Sequence, residues 1–198
     1  MAIPELNKTY TIKALHSDQA MVVYMGSAYD GANIVQMPEA PGYYQQWTVT
    51  EQNSYGIRLA PAQDTSLKLT VESTPADPMG ARNNAPVKTR EPDGSYRQYW
   101  MLEDKGSYIG TDGNPKDCYT LTSTGSSYSG TPRVLCVEDA STTNGANVIQ
   151  YSFGSARNDL WYFEPFPATN RSPDSSDAAR SRTGPMPRPF CERCRQRA

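Results

Sequence analysis

The chain has 198 residues, of which 37% are hydrophobic, 10% aromatic and 20% charged, and its formal net charge is −2. Such a balanced charge argues against a nucleic-acid-binding protein, which carries a basic excess. The single histidine, His16, argues against histidine-based catalytic triads and multi-histidine metal sites. No run of 18 apolar residues occurs, so we expect no membrane-spanning helix. We expect no catalytic residue, no metal and no other cofactor.

The N-terminal segment lacks the pattern of a secretory signal. Charged side chains, among them Glu5, Lys8 and Lys13, interrupt any apolar stretch in the first twenty residues. We therefore expect a cytoplasmic protein, unless it is exported by an unconventional route.

Short β-type segments recur along most of the chain. Runs rich in Val, Ile, Tyr and Thr alternate with clusters of Gly, Asn, Asp, Ser and Pro every 8–12 residues. This rhythm is typical of an all-β sandwich or barrel. The predicted strands include, in chain order, Thr9–Ile12, Ile57–Leu59, Leu67–Val71, Tyr119–Thr122 and Val134–Val137.

The C-terminal segment 167–198 differs in composition from the rest of the chain. It holds seven arginines against three acidic residues, together with five prolines and many serines. Such a segment cannot bury enough apolar surface to offset its ordering entropy. We predict a folded domain over residues 1–166 and a disordered tail over 167–198.

Three tryptophan phrases indicate an internal repeat. Trp47, Trp100 and Trp161 are separated by 53 and 61 residues. Residues 22–47 align without a gap with residues 136–161, with seven identities. The phrases are Gln45-Gln46-Trp47, Gln98-Tyr99-Trp100 and Asp159-Leu160-Trp161, and each follows a turn, Asp30-Gly31-Ala32, Asn83-Asn84-Ala85 and Asn144-Gly145-Ala146.

In these phrases the chain resembles the ricin-B-type lectins, which are β-trefoils with one Gln-x-Trp phrase in each of three lobes. The resemblance covers roughly residues 8–166. It implies twelve strands with pseudo-threefold symmetry, six closing a short barrel and six capping one end. We interpret the tryptophans as core residues, so sugar binding must be argued from other positions.

The resemblance places a sugar site in the third lobe. Sugar sites of this family combine a carboxylate, an aromatic ring and an asparagine amide. The third lobe offers Glu138 for the carboxylate, with Asp139 beside it as the alternative, then Tyr151 for the ring and Asn158 for the amide. The family usually has Asp where Glu138 stands and Gln where Asp159 stands.

The first two lobes lack this combination. The first has Tyr24, Met37 and Tyr44 at the three positions. The second keeps a carboxylate, Glu72, but has Arg90 and Arg97 at the ring and amide positions. Arginine donates hydrogen bonds and cannot accept them. We predict that neither lobe binds sugar, although the second retains Glu72 at the carboxylate position.

We expect the four cysteines to be reduced, because four are too few for a disulfide scaffold. Secreted members of the family often pair the lobe's cysteine with a second one, and Phe153 stands at the partner position of Cys136. The terminal pair Cys191 and Cys194 has neither a second CxxC nor a histidine near it, so we interpret it as functionally incidental.

We predict a carbohydrate-binding protein without catalysis, with galactose-type or N-acetylated sugars as ligands and a homodimer as a possible assembly. The alternative is a β-trefoil protease inhibitor that acts through its surface loops. A glycoside hydrolase is disfavoured. If Glu138 and Asp139 both lie on a strand, their side chains point to opposite faces and cannot flank one glycosidic bond.

Overall fold

A computed structural model describes residues 4–40 and 43–166. The segment 167–198, predicted as a disordered tail, lies outside these residues, and so do Cys191 and Cys194. The described part of the chain contains twelve strands: β1 (Thr9–Ala14), β2 (Ala20–Val23), β3 (Ile34–Met37), β4 (Gln46–Asn53), β5 (Gly56–Pro61), β6 (Lys68–Val71), β7 (Ala85–Arg90), β8 (Trp100–Ile109), β9 (Pro115–Ser123), β10 (Val134–Val137), β11 (Val148–Tyr151) and β12 (Trp161–Pro165).

Helical structure is short. Within the described ranges 4–40 and 43–166, one α-helix, α1, spans Thr124–Tyr128, and 3-10 turns span Tyr24–Gly26, Tyr43–Gln45, Tyr96–Gln98, Glu138–Ala140 and Arg157–Asp159. Among the residues that the structure describes, none of the helices has the length and apolarity needed to span a membrane.

Six strands close into a barrel. Antiparallel pairs join β1 to β4, β4 to β5, β5 to β8, β8 to β9, β9 to β12 and β12 back to β1. The other six strands form three hairpins, β2–β3, β6–β7 and β10–β11, one in each lobe. This is the predicted β-trefoil, and its closure leaves no free edge on the barrel strands.

The three repeated tryptophans lie in the core, as predicted. Trp47, Trp100 and Trp161 are each 0% exposed. Each indole N–H donates to a main-chain carbonyl of its own lobe, that of Met21 at 2.8 Å, Leu69 at 3.1 Å or Leu135 at 2.9 Å. A large apolar ring with one satisfied donor is well suited to a buried position.

The lobes are joined in a cycle by one side chain from the second strand of each cap hairpin. Gln36 of the first lobe donates to the Ser141 carbonyl of the third at 2.7 Å. Gln150 of the third lobe donates to the Arg82 carbonyl of the second at 3.0 Å. Thr89 of the second lobe donates to the Tyr29 carbonyl of the first at 2.6 Å. Each hairpin therefore lies against the turn of the preceding lobe.

Candidate functional site

A cavity of about 390 Å³ opens on the third lobe, between β10, β11 and the loop that precedes Trp161. Three of the four predicted site residues, Asp139, Tyr151 and Asn158, line it together. Glu138 is not among the lining residues. The structure therefore brings one carboxylate, one aromatic ring and one amide to a single concave surface.

The local backbone separates the two adjacent carboxylates. Glu138 and Asp139 lie in a 3-10 turn after β10 and not on a strand, so the premise of strand alternation was wrong. Asp139 adopts φ 53°, a left-handed conformation that Asp tolerates better than most residues. Its exposed side chain lines the cavity, whereas Glu138 Oε2 accepts a hydrogen bond of 2.8 Å from Asn147 Nδ2 outside it.

The aromatic ring and the amide are carried by the two ends of the segment that connects β11 to β12. Tyr151 is the last residue of β11 and is 43% exposed, which leaves its ring accessible. Asn158 lies in the 3-10 turn before β12, and its Nδ2 donates to the Val137 carbonyl at 2.9 Å. This hydrogen bond fixes the amide and leaves its oxygen as an acceptor.

Two buried groups that can lose a proton, the Asp159 carboxyl and the Cys136 thiol, line the cavity. Asp159 is buried, and Asp159 Oδ2 accepts a hydrogen bond of 2.9 Å from the Gly154 N–H. Burial raises the pKa of this carboxyl above its usual range. Burial also raises the pKa of the neighbouring Cys136 thiol, to about 12.

Asp159 stands where each of the other two lobes has a glutamine that both accepts a hydrogen bond from the main chain and donates one to it. Gln45 accepts from the Ala40 N–H and donates to the Pro38 carbonyl, both at 2.8 Å. Gln98 likewise accepts from the main chain and donates to the Glu91 carbonyl at 2.8 Å. An ionised aspartate can only accept hydrogen bonds. The third lobe therefore keeps the bond accepted from a main-chain N–H and lacks the bond donated to a main-chain carbonyl.

The second lobe fills the equivalent place with ion pairs. Arg90, the counterpart of Tyr151, donates two hydrogen bonds of 2.8 Å to Glu72 and one of 3.1 Å to Asp30. Arg97, the counterpart of Asn158, donates to the Val71 carbonyl at 2.9 Å. Glu72, the carboxylate that the second lobe retains, is therefore engaged within the protein.

The first lobe fills its place with apolar contacts. Met37 and Tyr44, which correspond to the ring and amide positions, pack against Val22 and Val35. Tyr24, which stands at the carboxylate position, brings no charge. None of these three side chains is a charged acceptor for sugar hydroxyls.

The body cysteines are free thiols, as expected. Cys118 and Cys136 are both buried and unpaired. Phe153, at the predicted partner position, is largely exposed, and Lys105 Nζ lies 4.8 Å from its ring centroid. A phenyl ring at this position cannot form the bridge.

Among the lining residues that the sequence did not predict, one belongs to a different lobe. Asn84, from the turn of the second lobe, lines the third-lobe cavity. The adjacent Asn83 side chain accepts hydrogen bonds from Ser152 N at 2.9 Å and Ser152 Oγ at 3.1 Å. The repeated turn was visible in the sequence, but its proximity to the next lobe's site follows only from the pairing of β7 with β11.

Comparisons with known proteins agree with this architecture. The family model described as "Ricin-type beta-trefoil lectin domain-like" matches residues 3–79. A designed threefold-symmetric protein, ThreeFoil, is 30% identical, with a TM-score of 0.66 over 80% of this chain and 99% of its own. A comparison with curated protein sequences finds no match.

Two fungal structures show the same fold at lower identity. The ricin B-like lectin of Macrolepiota procera, solved with lactose, is 16% identical, with a TM-score of 0.61 over 83% of this chain and 100% of its own. The Rhizoctonia solani agglutinin is 17% identical, with a TM-score of 0.58 over 84% of this chain and 100% of its own.

Proposed function

Because the chain belongs to the ricin-B-type β-trefoil lectin family, we propose that it binds a carbohydrate in its third lobe and performs no catalysis. The observation that carries this proposal is the convergence of Asp139, Tyr151 and Asn158 on one cavity. Within residues 4–40 and 43–166, the side chains of Asp139 and Tyr151 have no hydrogen-bond partner, so both are available to a ligand.

Each of the three groups meets a different part of a sugar. The Asp139 carboxylate accepts hydrogen bonds from neighbouring hydroxyls, and a charged acceptor makes the stronger bonds. The exposed Tyr151 ring offers a flat apolar surface to the C–H face of a pyranose. The Asn158 oxygen, fixed by the bond from its amide nitrogen to Val137, adds a neutral acceptor.

The differences between the three lobes support one sugar site per chain. Arg90 and Glu72 satisfy each other in the second lobe, and Met37 is packed against apolar neighbours in the first. A single shallow site with a few solvent-exposed hydrogen bonds holds a monosaccharide weakly, with a Kd on the order of 0.1–1 mM. Cross-linking of glycans by such a protein requires a dimer, because avidity needs two sites engaged at once.

The related structures suggest which sugars to try first. The Macrolepiota procera lectin was solved with lactose, and the C-terminal half of an earthworm R-type lectin with GalNAc. We propose the same class for this chain, galactose-type or N-acetylated sugars, in its third lobe.

The test combines a glycan array with calorimetric titration of the full chain. We expect binding of one sugar per chain in the wild type and loss of binding in Tyr151→Ala. Arg90→Ala is the matched control, because Arg90 is the counterpart of Tyr151 in the second lobe and should leave the stoichiometry unchanged. Two or more sites per chain, or full binding by Tyr151→Ala, would contradict the proposal. Inhibition of papain or trypsin without glycan binding would favour the inhibitor alternative.

A further inference from the structure

Asn84 has a backbone conformation that the other two lobes give to glycine. Its φ is 58°, while the equivalent residues Gly31 and Gly145 have φ 92° and 82°. Left-handed backbone is disfavoured for residues with a Cβ, although Asn is among those that tolerate it. The second lobe therefore has a polar side chain at a turn position where the first and third lobes have glycine.

This side chain lies at the edge of the third-lobe cavity. Ala85 pairs with Gln150, and the Asn84 N–H donates to the Gln150 carbonyl at 3.0 Å. Asn84 is therefore beside Tyr151, and it lines the same cavity. Its side-chain amide is exposed and has no hydrogen-bond partner in the part of the chain that the structure describes.

In the second lobe, where we expect no ligand, the Arg90 guanidinium occupies the space beside the equivalent turn residue, Gly31. A Cβ at Gly31 would lie 3.1 Å from Arg90 Nη1, so a side chain at that turn would crowd the guanidinium and displace it by a few tenths of an ångström. In the third lobe the counterpart of Arg90 is Tyr151, and the space beside Asn84 belongs to the cavity. The turn beside the ion-paired second-lobe site therefore has glycine, Gly31, whereas the turn beside the open third-lobe cavity has asparagine, Asn84.

Asn84 and Asp139 are attached near opposite ends of β11. Asp139 follows β10, whose Val137 pairs with Val148 at the start of β11, whereas Asn84 adjoins Tyr151 at its end. The three residue steps between Val148 and Tyr151 correspond to about 10 Å of extended strand. Because β10 and β7 pair with opposite sides of β11, a ring that is stacked on Tyr151 and bonded to Asp139 leaves the Asn84 side of Tyr151 free for more ligand.

We infer that Asn84 forms a second subsite that binds the second pyranose of a disaccharide across the lobe boundary. The inference rests on the proposed sugar binding by the third lobe and assigns a role to a residue of the second. The amide can donate to one hydroxyl and accept from another, which suits groups that do both.

The test compares Asn84→Gly with the wild-type full chain by calorimetry, using lactose and galactose as probes. If the array selects another terminal sugar, the probes are the disaccharide that carries it and the free sugar. Glycine adopts the required φ freely, so the variant should keep its Tm within a few degrees. We expect its affinity for the disaccharide to fall about 5- to 10-fold, as for one or two lost hydrogen bonds, with monosaccharide affinity unchanged.

Gly145→Asn is the matched control. It places the same side chain at the equivalent turn, where an added Cβ meets nothing within 4 Å, beside the first lobe. It should bind both probes as the wild type does. If the wild type binds sugar and Asn84→Gly binds the disaccharide equally well, the subsite is refuted and the proposed function stands. If the wild type binds no glycan, both are refuted. An equal loss for both probes would also refute the subsite, because it would place Asn84 against the first ring.

Discussion

Arg90 donates two hydrogen bonds of 2.8 Å to the Glu72 carboxylate at the place where the third lobe carries Tyr151 and an open cavity. The same lobe architecture therefore supports two arrangements. In the second lobe the carboxylate is neutralised by a guanidinium, and in the third the cavity-facing carboxylate, Asp139, has no such partner in the described residues. Two features of the described residues distinguish the lobes: the guanidinium of Arg90 in the second, and the 3-10 turn Glu138–Ala140 that follows β10 in the third, where β6 has no such turn after it.

Arg90→Ala tests the structural role of this ion pair. Arg90 lowers the pKa of Glu72, so the pair contributes stability above the usual glutamate pKa and loses it as the pH falls through the lowered value. Since both groups are partly exposed, we expect a loss of about 0.5–1 kcal/mol in the free energy of unfolding at pH 7.

Chemical denaturation at pH 7 and pH 2.5 measures this effect. The difference between Arg90→Ala and wild type should shrink at the lower pH, because the pair loses its contribution as Glu72 takes up a proton on passing through its lowered pKa. An equal difference at both pH values would show that Arg90 acts through packing and not through its charge.

The fold could be predicted from the sequence because its determinants repeat. The tryptophans at 47, 100 and 161 and the turns before them are local signals, and each marks the same place in a lobe. The prediction that the second lobe binds no sugar also follows from the sequence, since Arg90 and Arg97 cannot accept hydrogen bonds. Residue type alone decided that prediction.

The finer features of the site depend on geometry that the sequence does not display. The choice between Glu138 and Asp139 depends on a 3-10 turn with a left-handed residue, where adjacent side chains do not alternate as on a strand. The contribution of Asn84 depends on the register between β7 and β11, which joins residues 65 positions apart, such as Ala85 and Gln150. Pairing between residues so far apart in the chain produces no periodic pattern in the sequence.

Asp159→Asn should stabilise the protein at neutral pH. Burial raises the pKa of Asp159, so its charged form is disfavoured in the folded state, and stability falls as the pH rises through the raised pKa. An asparagine of the same shape keeps the acceptor for the Gly154 N–H and removes the charge. We expect a gain on the order of 1 kcal/mol at pH 7 and none at pH 3, measured as the shift in Tm between variant and wild type.

The reverse substitution in the first lobe provides the control. Gln45→Glu removes the amide that donates to the Pro38 carbonyl and introduces an acid at a buried position. It should lower the Tm at pH 7 and have a smaller effect at pH 3. A neutral or destabilising Asp159→Asn at pH 7 would mean that the carboxylate has a stabilising role that its burial does not reveal.

The body thiols should be unreactive in the folded protein and reactive once it unfolds. Cys118 and Cys136 are buried, and burial raises their pKa to about 11 and about 12, so little thiolate forms near pH 8. Treatment with iodoacetamide without reductant, followed by peptide mapping, should show both cysteines unmodified in native protein and both modified in denaturant. A peptide containing either cysteine that stays unmodified in denaturant would indicate a disulfide.

The last prediction distinguishes the two adjacent carboxylates of the third lobe. Asp139 lines the cavity, whereas Glu138 is held by Asn147 Nδ2 at 2.8 Å outside it. Asp139→Asn keeps the size of the side chain but replaces a charged acceptor, so we expect sugar affinity to fall by about 1.5–3 kcal/mol, or more than tenfold.

Glu138→Gln is the matched substitution, because the new amide oxygen can still accept from Asn147. It should leave the Kd within a factor of two, since its carboxylate does not face the ligand. Calorimetric titration of both variants with the sugar selected by the array measures the difference directly, and the Tm of each verifies that it is folded. The opposite pattern, with loss in Glu138→Gln and full binding in Asp139→Asn, would assign the acceptor to Glu138. It would also require the turn at 138–140 to rearrange when the sugar binds, because, of these two carboxylates, Asp139 lines the cavity and Glu138 does not.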